Sequence, residues 1–263
     1  METCKKLMYI PNSILKQRET NYREVLTRRL SNLESCFVLD AGTGAGSMTK
    51  ILTEHLNVHV VSADANRHVF PSVRGTVDKG KVDFVVCDFA SLPFIDESLC
   101  CIVCDLVIST SENWRPLPVY TEFKRTLRLK GILCITDYYP ESTPQNVEEK
   151  LATETWKLYR EVSKALGARL RRNFPPEKTI EELKKAELRN VRKERMIANE
   201  GAQWKKRVFA EYYRNMKNAI SGLSNPKLKT KFFSKLETLR KNIVRDGEIH
   251  WAWGANYLIE AQK

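Results

Sequence analysis

The stretch that most constrains this chain is an apolar run followed by an acid and three alternating glycines. It reads Phe37-Val38-Leu39-Asp40-Ala41-Gly42-Thr43-Gly44-Ala45-Gly46-Ser47-Met48-Thr49. The apolar run reads as a buried strand, and Ser47 onward as the first turns of a helix. A strand that turns straight into a helix leaves backbone N–H groups free at the bend and at the helix start. Glycine lets the backbone bend there and lets a ligand approach with no Cβ in its way. A dinucleotide-binding turn would space its glycines as G-x-G-x-x-G. Counted from Gly42, the third would fall on Ser47; counted from Gly44, on Thr49. Neither frame fits.

Strands and helices then alternate, which predicts a parallel sheet. Strands are expected at 59–64, 82–88, 99–107 and 131–140, with helices at 47–55 and 116–129. The second strand ends in Asp64, 24 positions after Asp40. An acid at a strand end can accept from both hydroxyls of an adenosine ribose, a device that nicotinamide enzymes share. The bland alternative is a surface acid in a loop. The third strand runs into Asp88-Phe89-Ala90-Ser91-Leu92-Pro93-Phe94, and the fourth ends at Asp105. Asp137, Tyr138 and Tyr139 sit at the end of the fifth, where open α/β sheets bind their ligands.

The acid-x-Gly-x-Gly-x-Gly run, the strand-end acid and the Asp-Phe…Leu-Pro-Phe run, in that order, resemble class I S-adenosylmethionine-dependent methyltransferases. The likeness is closest to the broad ubiquinone/menaquinone-biosynthesis-type group, covers 37–140 well, and covers 179–197 and 254–262 loosely. It implies an α/β fold: a Rossmann-like, seven-stranded, mostly parallel sheet flanked by helices, with helical insertions. It also implies S-adenosyl-L-methionine as cofactor. By resemblance, Asp40, Gly42, Thr43, Gly44 and Gly46 hold its amino-acid end. Asp64 and Ala65 hold the ribose, and Asp88 and Phe89 the adenine. Asp105 and Tyr139 are the candidates for acting on the acceptor. After Asp105 comes Leu106-Val107-Ile108, not the Asn/Asp-Pro-Pro-Tyr/Phe signature of enzymes that methylate exocyclic amines of adenine and some glutamines.

Cysteine usage suits a reducing, cytoplasmic interior: seven cysteines, an odd number, mostly inside apolar runs. Cys100, Cys101 and Cys104 alternate across a strand, so packing is expected there and no metal. No apolar run is long enough to span a membrane, and residues 1–6 lack the apolar stretch of a signal peptide. The net charge of +12 lies wholly in the second half. Residues 1–144 carry 17 basic and 17 acidic side chains, against 27 and 15 in 145–263.

The remaining helices follow from apolar stripes at steps of three and four. One helix is expected over 11–33 and another over 145–171; the resemblance implies that the first packs over the cofactor cleft, with Tyr22 a core residue or else a lining one, and that the second is a lid over the acceptor. Thr179-Ile180-Glu181-Glu182 fits a capping box. A basic helical hairpin is expected over 203–245. His250, Trp251 and Trp253 then read as a stacking surface or a hydrophobic plug. The chain thus divides into a cofactor-binding core, 1–144, and a second part of the same domain, 145–263, made of lid, hairpin and closing strands.

The expected activity is methyl transfer to a small-molecule acceptor. A tRNA or rRNA acceptor bound through 184–245 is the alternative, since that segment holds 18 basic against 5 acidic residues. A non-catalytic, cofactor-binding scaffold for a partner is a third reading.

Overall fold

The structure is a computed structural model. It describes residues 25–26, 28–78, 80–110, 115–139, 143–167, 175–196, 201–251 and 255–263. Over these the chain divides into two compact units. The sheet unit is built from Glu19–Tyr139, Arg172–Met196 and Asn256–Lys263, and the helical unit from Pro140–Arg171 and Ile197–Ala255.

The sheet unit contains β1 (Glu34–Ala41), α1 (Ser47–His55), β2 (Asn57–Asp64), α2 (Phe70–Arg74), β3 (Val82–Val86), β4 (Leu99–Asp105), α3 (Val107–Thr110), α4 (Pro116–Thr126) and β5 (Leu127–Tyr139). In the helical unit, α5 spans Val147–Ala165. The chain returns to the sheet with α6 (Pro176–Lys185) and β6 (Arg189–Met196). It then adds α7 (Ala202–Ser221), α8 (Pro226–Ile243) and a short hairpin, β7 (Val244–Arg245) and β8 (Glu248–Ile249). The last strand is β9 (Ala255–Gln262).

Seven strands form one sheet in the order β3-β2-β1-β4-β5-β9-β6. The pairings β2–β3, β1–β2, β1–β4 and β4–β5 are parallel, and β9 runs antiparallel to β6. The order reverses at β1, whose neighbours are β2 and β4, so the crevice that binds ligands in such sheets opens beyond the carboxyl end of β1.

Alternate residues of each strand enter different cores. Leu39 and Ala41 of β1, and Ile102 and Cys104 of β4, pack with α4 and α6 through Phe123 and Leu183. Val38, Cys101 and Val103 enter the opposite cluster with Leu52 of α1 and Leu26 and Leu30. Burial on both faces explains why these strands read as unbroken apolar runs.

In the helical unit, α5, α7 and α8 close over Leu158, Val162, Val208, Phe209, Met216 and Leu236, all buried. Trp251 is 2% exposed; its indole N–H donates to the Thr155 hydroxyl at 3.3 Å, and its ring lies 6.0 Å from that of Phe209. It is the plug, not the stacking surface. Trp253 lies outside the described residues.

Three expectations need correction. The helix of 176–185 starts at Pro176 behind Pro175, with no side-chain cap, and Thr179 is 2% exposed inside it. Proline's fixed φ begins the helix three residues before the expected box. The helix expected to run to 129 ends at Thr126, and Leu127 already belongs to β5. Cys36 and Cys100 form a disulfide at a Cα separation of 6.1 Å, although they lie 64 residues apart in sequence. Cys101, Cys104 and Cys134 are buried free thiols, so packing is their role. Burial pushes the Cys104 thiol well up, away from nucleophilic use. Of the helix expected over 11–33, the described part reaches Leu30, while Tyr22 lies outside the described residues.

Candidate active site

The three glycines all take positive φ: 101° at Gly42, 48° at Gly44 and 82° at Gly46. They serve different ends. A Cβ on Gly42 would lie 2.2 Å from a Val107 methyl, and one on Gly46 would lie 2.6 Å from a Val73 methyl. Those two let side chains of the fold close in. A Cβ on Gly44 would meet nothing nearer than the Gly42 carbonyl at 3.8 Å, so Gly44 is the one that faces open space. The turn is pinned by Gly42 and Thr43 N–H groups donating to the Ala63 carbonyl, at 2.8 and 3.0 Å.

Under the turn lies a hydroxyl network that the sequence reading missed. Thr49 donates to Asp40 Oδ2, which leaves Ser62 to donate to Thr49 at 2.9 Å and to accept from Thr43 at 2.7 Å. All four residues are buried. The available signal was Ser62, a hydroxyl at an inward position of an otherwise apolar strand.

Asp40 is fully buried, and its Oδ1 has no partner. Burial raises its carboxyl to about 7; the Thr49 hydroxyl opposes this, and Asp105 and Asp64 push in the same direction. Asp64 reaches back to the turn, accepting from Gly44 N–H at 3.1 Å and from Asn66 N–H at 2.8 Å. Ala65 beside it is exposed. Asp105 is held by the Thr136 hydroxyl from the neighbouring strand. The next residue, Leu106, takes a left-handed φ of 54° and donates to the Thr136 carbonyl at 2.8 Å. Bulky residues rarely adopt that conformation, so the backbone turns sharply where β4 leaves the sheet.

Asp64 and Asp105, at the ends of β2 and β4, thus lie near enough to Asp40 at the end of β1 to oppose its ionisation.

The adenine candidates lie further along. Asp88 accepts from Ala90 N–H at 2.9 Å and forms an ion pair with Arg115 at 2.9 Å, with both side chains exposed. The Arg115 contact had no signal in sequence, because it joins two loops 27 residues apart. Phe89 turns its ring into the core, 6.2 Å from Phe123. Tyr139 is half-buried against the same core. Among the described residues, no group of three His, Cys, Asp or Glu side chains could hold a metal ion.

The residues present fit S-adenosylmethionine. Its sulfonium and ammonium charges suit strand ends that carry Asp64, Asp105 and Asp40, the last with an unpartnered buried oxygen, and the bare face of Gly44 admits a ligand against the backbone. Sheet order and crevice together define a Rossmann-like α/β fold with its ligand site at the switch point beyond β1.

Comparison by sequence agrees. Residues 39–135 match the family described as methyltransferase domain, over somewhat more than a third of the chain. No curated protein matches in sequence. Among solved structures, phosphoethanolamine N-methyltransferase 2 of Haemonchus contortus aligns at TM-score 0.57 and 15% identity, over 93% of this chain and 53% of its own. The present chain thus spans about half the length of that enzyme. A SAM-dependent methyltransferase of Archaeoglobus fulgidus aligns at 0.53 and 15%, over 92% and 94%. The [4+2]-cyclase SpnF aligns at 0.54 and 14%, over 92% and 79%. At these identities the likeness shows the fold.

Proposed function

We propose that this chain transfers a methyl group from S-adenosylmethionine to a small-molecule acceptor. The observation that carries the reading is the buried, unpartnered Oδ1 of Asp40 beneath the glycine turn, with Asp64 and Asp105 beside it. Bound there, S-adenosylmethionine supplies a methyl already activated by its positive sulfur. The chain's own work is binding and alignment, which holds reacting groups in line and removes much of the entropic barrier. In this reading Asp40 and the turn 42–46 hold the amino-acid end. Asp64 exchanges its two backbone partners for ribose hydroxyls, and Asp88 and Phe89 flank the base. Asp105, fixed by Thr136, orients the acceptor and takes its proton if it carries one, with Tyr139 as a wall or proton partner.

The acceptor class rests on two supports. The Haemonchus neighbour was crystallised with phosphomonomethylethanolamine, a small molecule. The RNA alternative loses ground because six of the 18 basic residues of 184–245 are engaged in surface ion pairs within the chain. Lys205–Glu148, Lys235–Glu161, Arg214–Glu211 and Arg240–Glu237 are examples. Trp204, Phe209, Tyr212 and Phe232 of that segment are buried, and Tyr213 and Phe233 are partly buried, so none of these six presents a fully open ring to a base. Within the class, the Asp88 to Phe94 run supports placement near the quinone-biosynthesis-type group.

The test uses donor carrying a labelled methyl, together with binding. S-adenosylhomocysteine, but not NADH, should raise the melting temperature, by the equivalent of about 2.7 kcal/mol at a hundred times Kd. Asp64→Ala should weaken that binding about tenfold or more with the fold intact. SpnF shows why label transfer is also required: a chain of this fold is named as a cyclase. Cofactor binding with no label transferred to any extractable small molecule would leave the scaffold reading standing and remove this one.

A further inference from the structure

The helical unit has a groove of about 560 Å³ between α5 and α8. That volume lies within the range of small-molecule sites. Leu151, Leu158 and Leu239 give it an apolar floor, while Ser234, Thr238 and Asn242 give it a polar wall along one face of α8.

Six charged side chains line it, and four of them neutralise each other. Lys157 pairs with Glu154 at 2.8 Å, and Lys235 with Glu161 at 2.7 Å. The remaining two, Lys150 and Arg245, make no ion pair or side-chain hydrogen bond among the described residues. The Glu161–Lys235 bridge marks one end of the groove. Lys150 lies eleven residues back along α5, roughly 16 Å at the helical rise, and Arg245 lies ten residues further on from Lys235. Both unpaired cations therefore belong to the other end. There α5 also begins, with the Glu149 N–H donating to the Asn146 side chain at 2.8 Å, and beside it Val147 leaves an apolar side chain 61% exposed. A long apolar floor with two unmatched positive charges at one end selects an amphiphilic anion.

We propose that this groove binds a small organic anion, with its phosphate or carboxylate head between Lys150 and Arg245 and its apolar body over Leu151, Leu158 and Leu239. The site lies wholly within the helical unit, and its argument uses nothing from the glycine crevice. A bound anion joins Lys150 of α5 to Arg245 of β7, just past the end of α8, where no ion pair links these elements among the described residues, so it stabilises the helical unit.

The test is calorimetric titration of the whole chain with octyl phosphate below its critical micelle concentration. Octyl glucoside and inorganic phosphate serve as controls. Octyl phosphate is expected to bind one site per chain and to raise the melting temperature, with each control at least about tenfold weaker. The variant Lys150→Ala/Arg245→Ala, which removes two exposed side chains with no partner to strand, should lose binding about tenfold while keeping its helical circular dichroism. Leu239→Gln should weaken octyl phosphate and leave inorganic phosphate unchanged. Equal binding of octyl glucoside overturns the anionic head, and equal binding of inorganic phosphate overturns the apolar floor. Undiminished binding by the double variant overturns the site.

Discussion

The two units of this chain treat charge in opposite ways. The sheet unit buries it: Asp40 and Asp137 are the two buried carboxyls among the described residues, and both belong to the strands that end at the crevice. The helical unit buries hydroxyls and one phenol but no carboxyl, and it places its acids outside, in bridges to lysine and arginine. Two of its buried polar groups meet at Thr155: Tyr212 donates to the Thr155 carbonyl at 2.8 Å, and Trp251 to the hydroxyl of the same residue. On the proposed reading the sheet unit holds Asp40 out of water beside its ligand site, which costs stability. A helix bundle with no such site can be apolar throughout. The sheet unit should therefore be the part that responds to pH, and the helical unit the part that responds to loss of volume.

The largest expected effect comes from the helical unit. Phe209→Ala removes a ring packed against Tyr212 and Trp251 and should cost about 3–5 kcal/mol. Hydrogen exchange should show the loss in α5, α7 and α8; uniform loss over β1 to β5 as well would erase the contrast.

Next comes Asp40. Its carboxyl titrates near the usual 3.8 when unfolded and at about 7 when folded. Between those values the unfolded chain holds fewer protons, so stability falls as pH rises from about 4 to about 7, by up to roughly 4 kcal/mol. Asp40→Asn should flatten that slope in denaturant titrations. A cationic ligand favours the ionised form, so donor binding should release a proton near neutral pH in the parent and not in the variant.

Gly42→Ala should cost about 2–3 kcal/mol, through a left-handed φ and a clash with Val107, and should abolish cofactor binding. Unimpaired binding would mean the turn tolerates a side chain there. The smallest effect belongs to Lys235→Ala. Its bridge to Glu161 is about two-fifths exposed on both sides, so the loss should stay below about 1 kcal/mol and fade in high salt.

What the sequence made legible follows the same division. β1, β2, β4 and the crevice could be read because each depends on short-range signals: an unbroken apolar run, a terminal acid, glycines whose φ only glycine takes easily. The hairpin of α7 and α8 could be read from its stripe alone, but its surface bridges could not, because partners such as Glu161 and Lys235 are 74 residues apart. Arg115 on Asp88 and the Cys36–Cys100 bond were hidden for the same reason. The start of α6 was misread because a proline there competes with a plausible box and wins by geometry. Thr49 and Ser62 were visible but unweighed, since single hydroxyls inside apolar elements carry meaning only once the strand and helix are placed side by side.

The order of synthesis gives the strand arrangement a further consequence. β9 lies between β5 and β6, yet the whole of α7 and α8 is made before it. Until β9 emerges, β6 lacks its partner in this sheet and β5 keeps an open edge. A nascent chain stalled or cut short after α8 would thus expose two unpaired backbone edges at once, an invitation to pair with another copy.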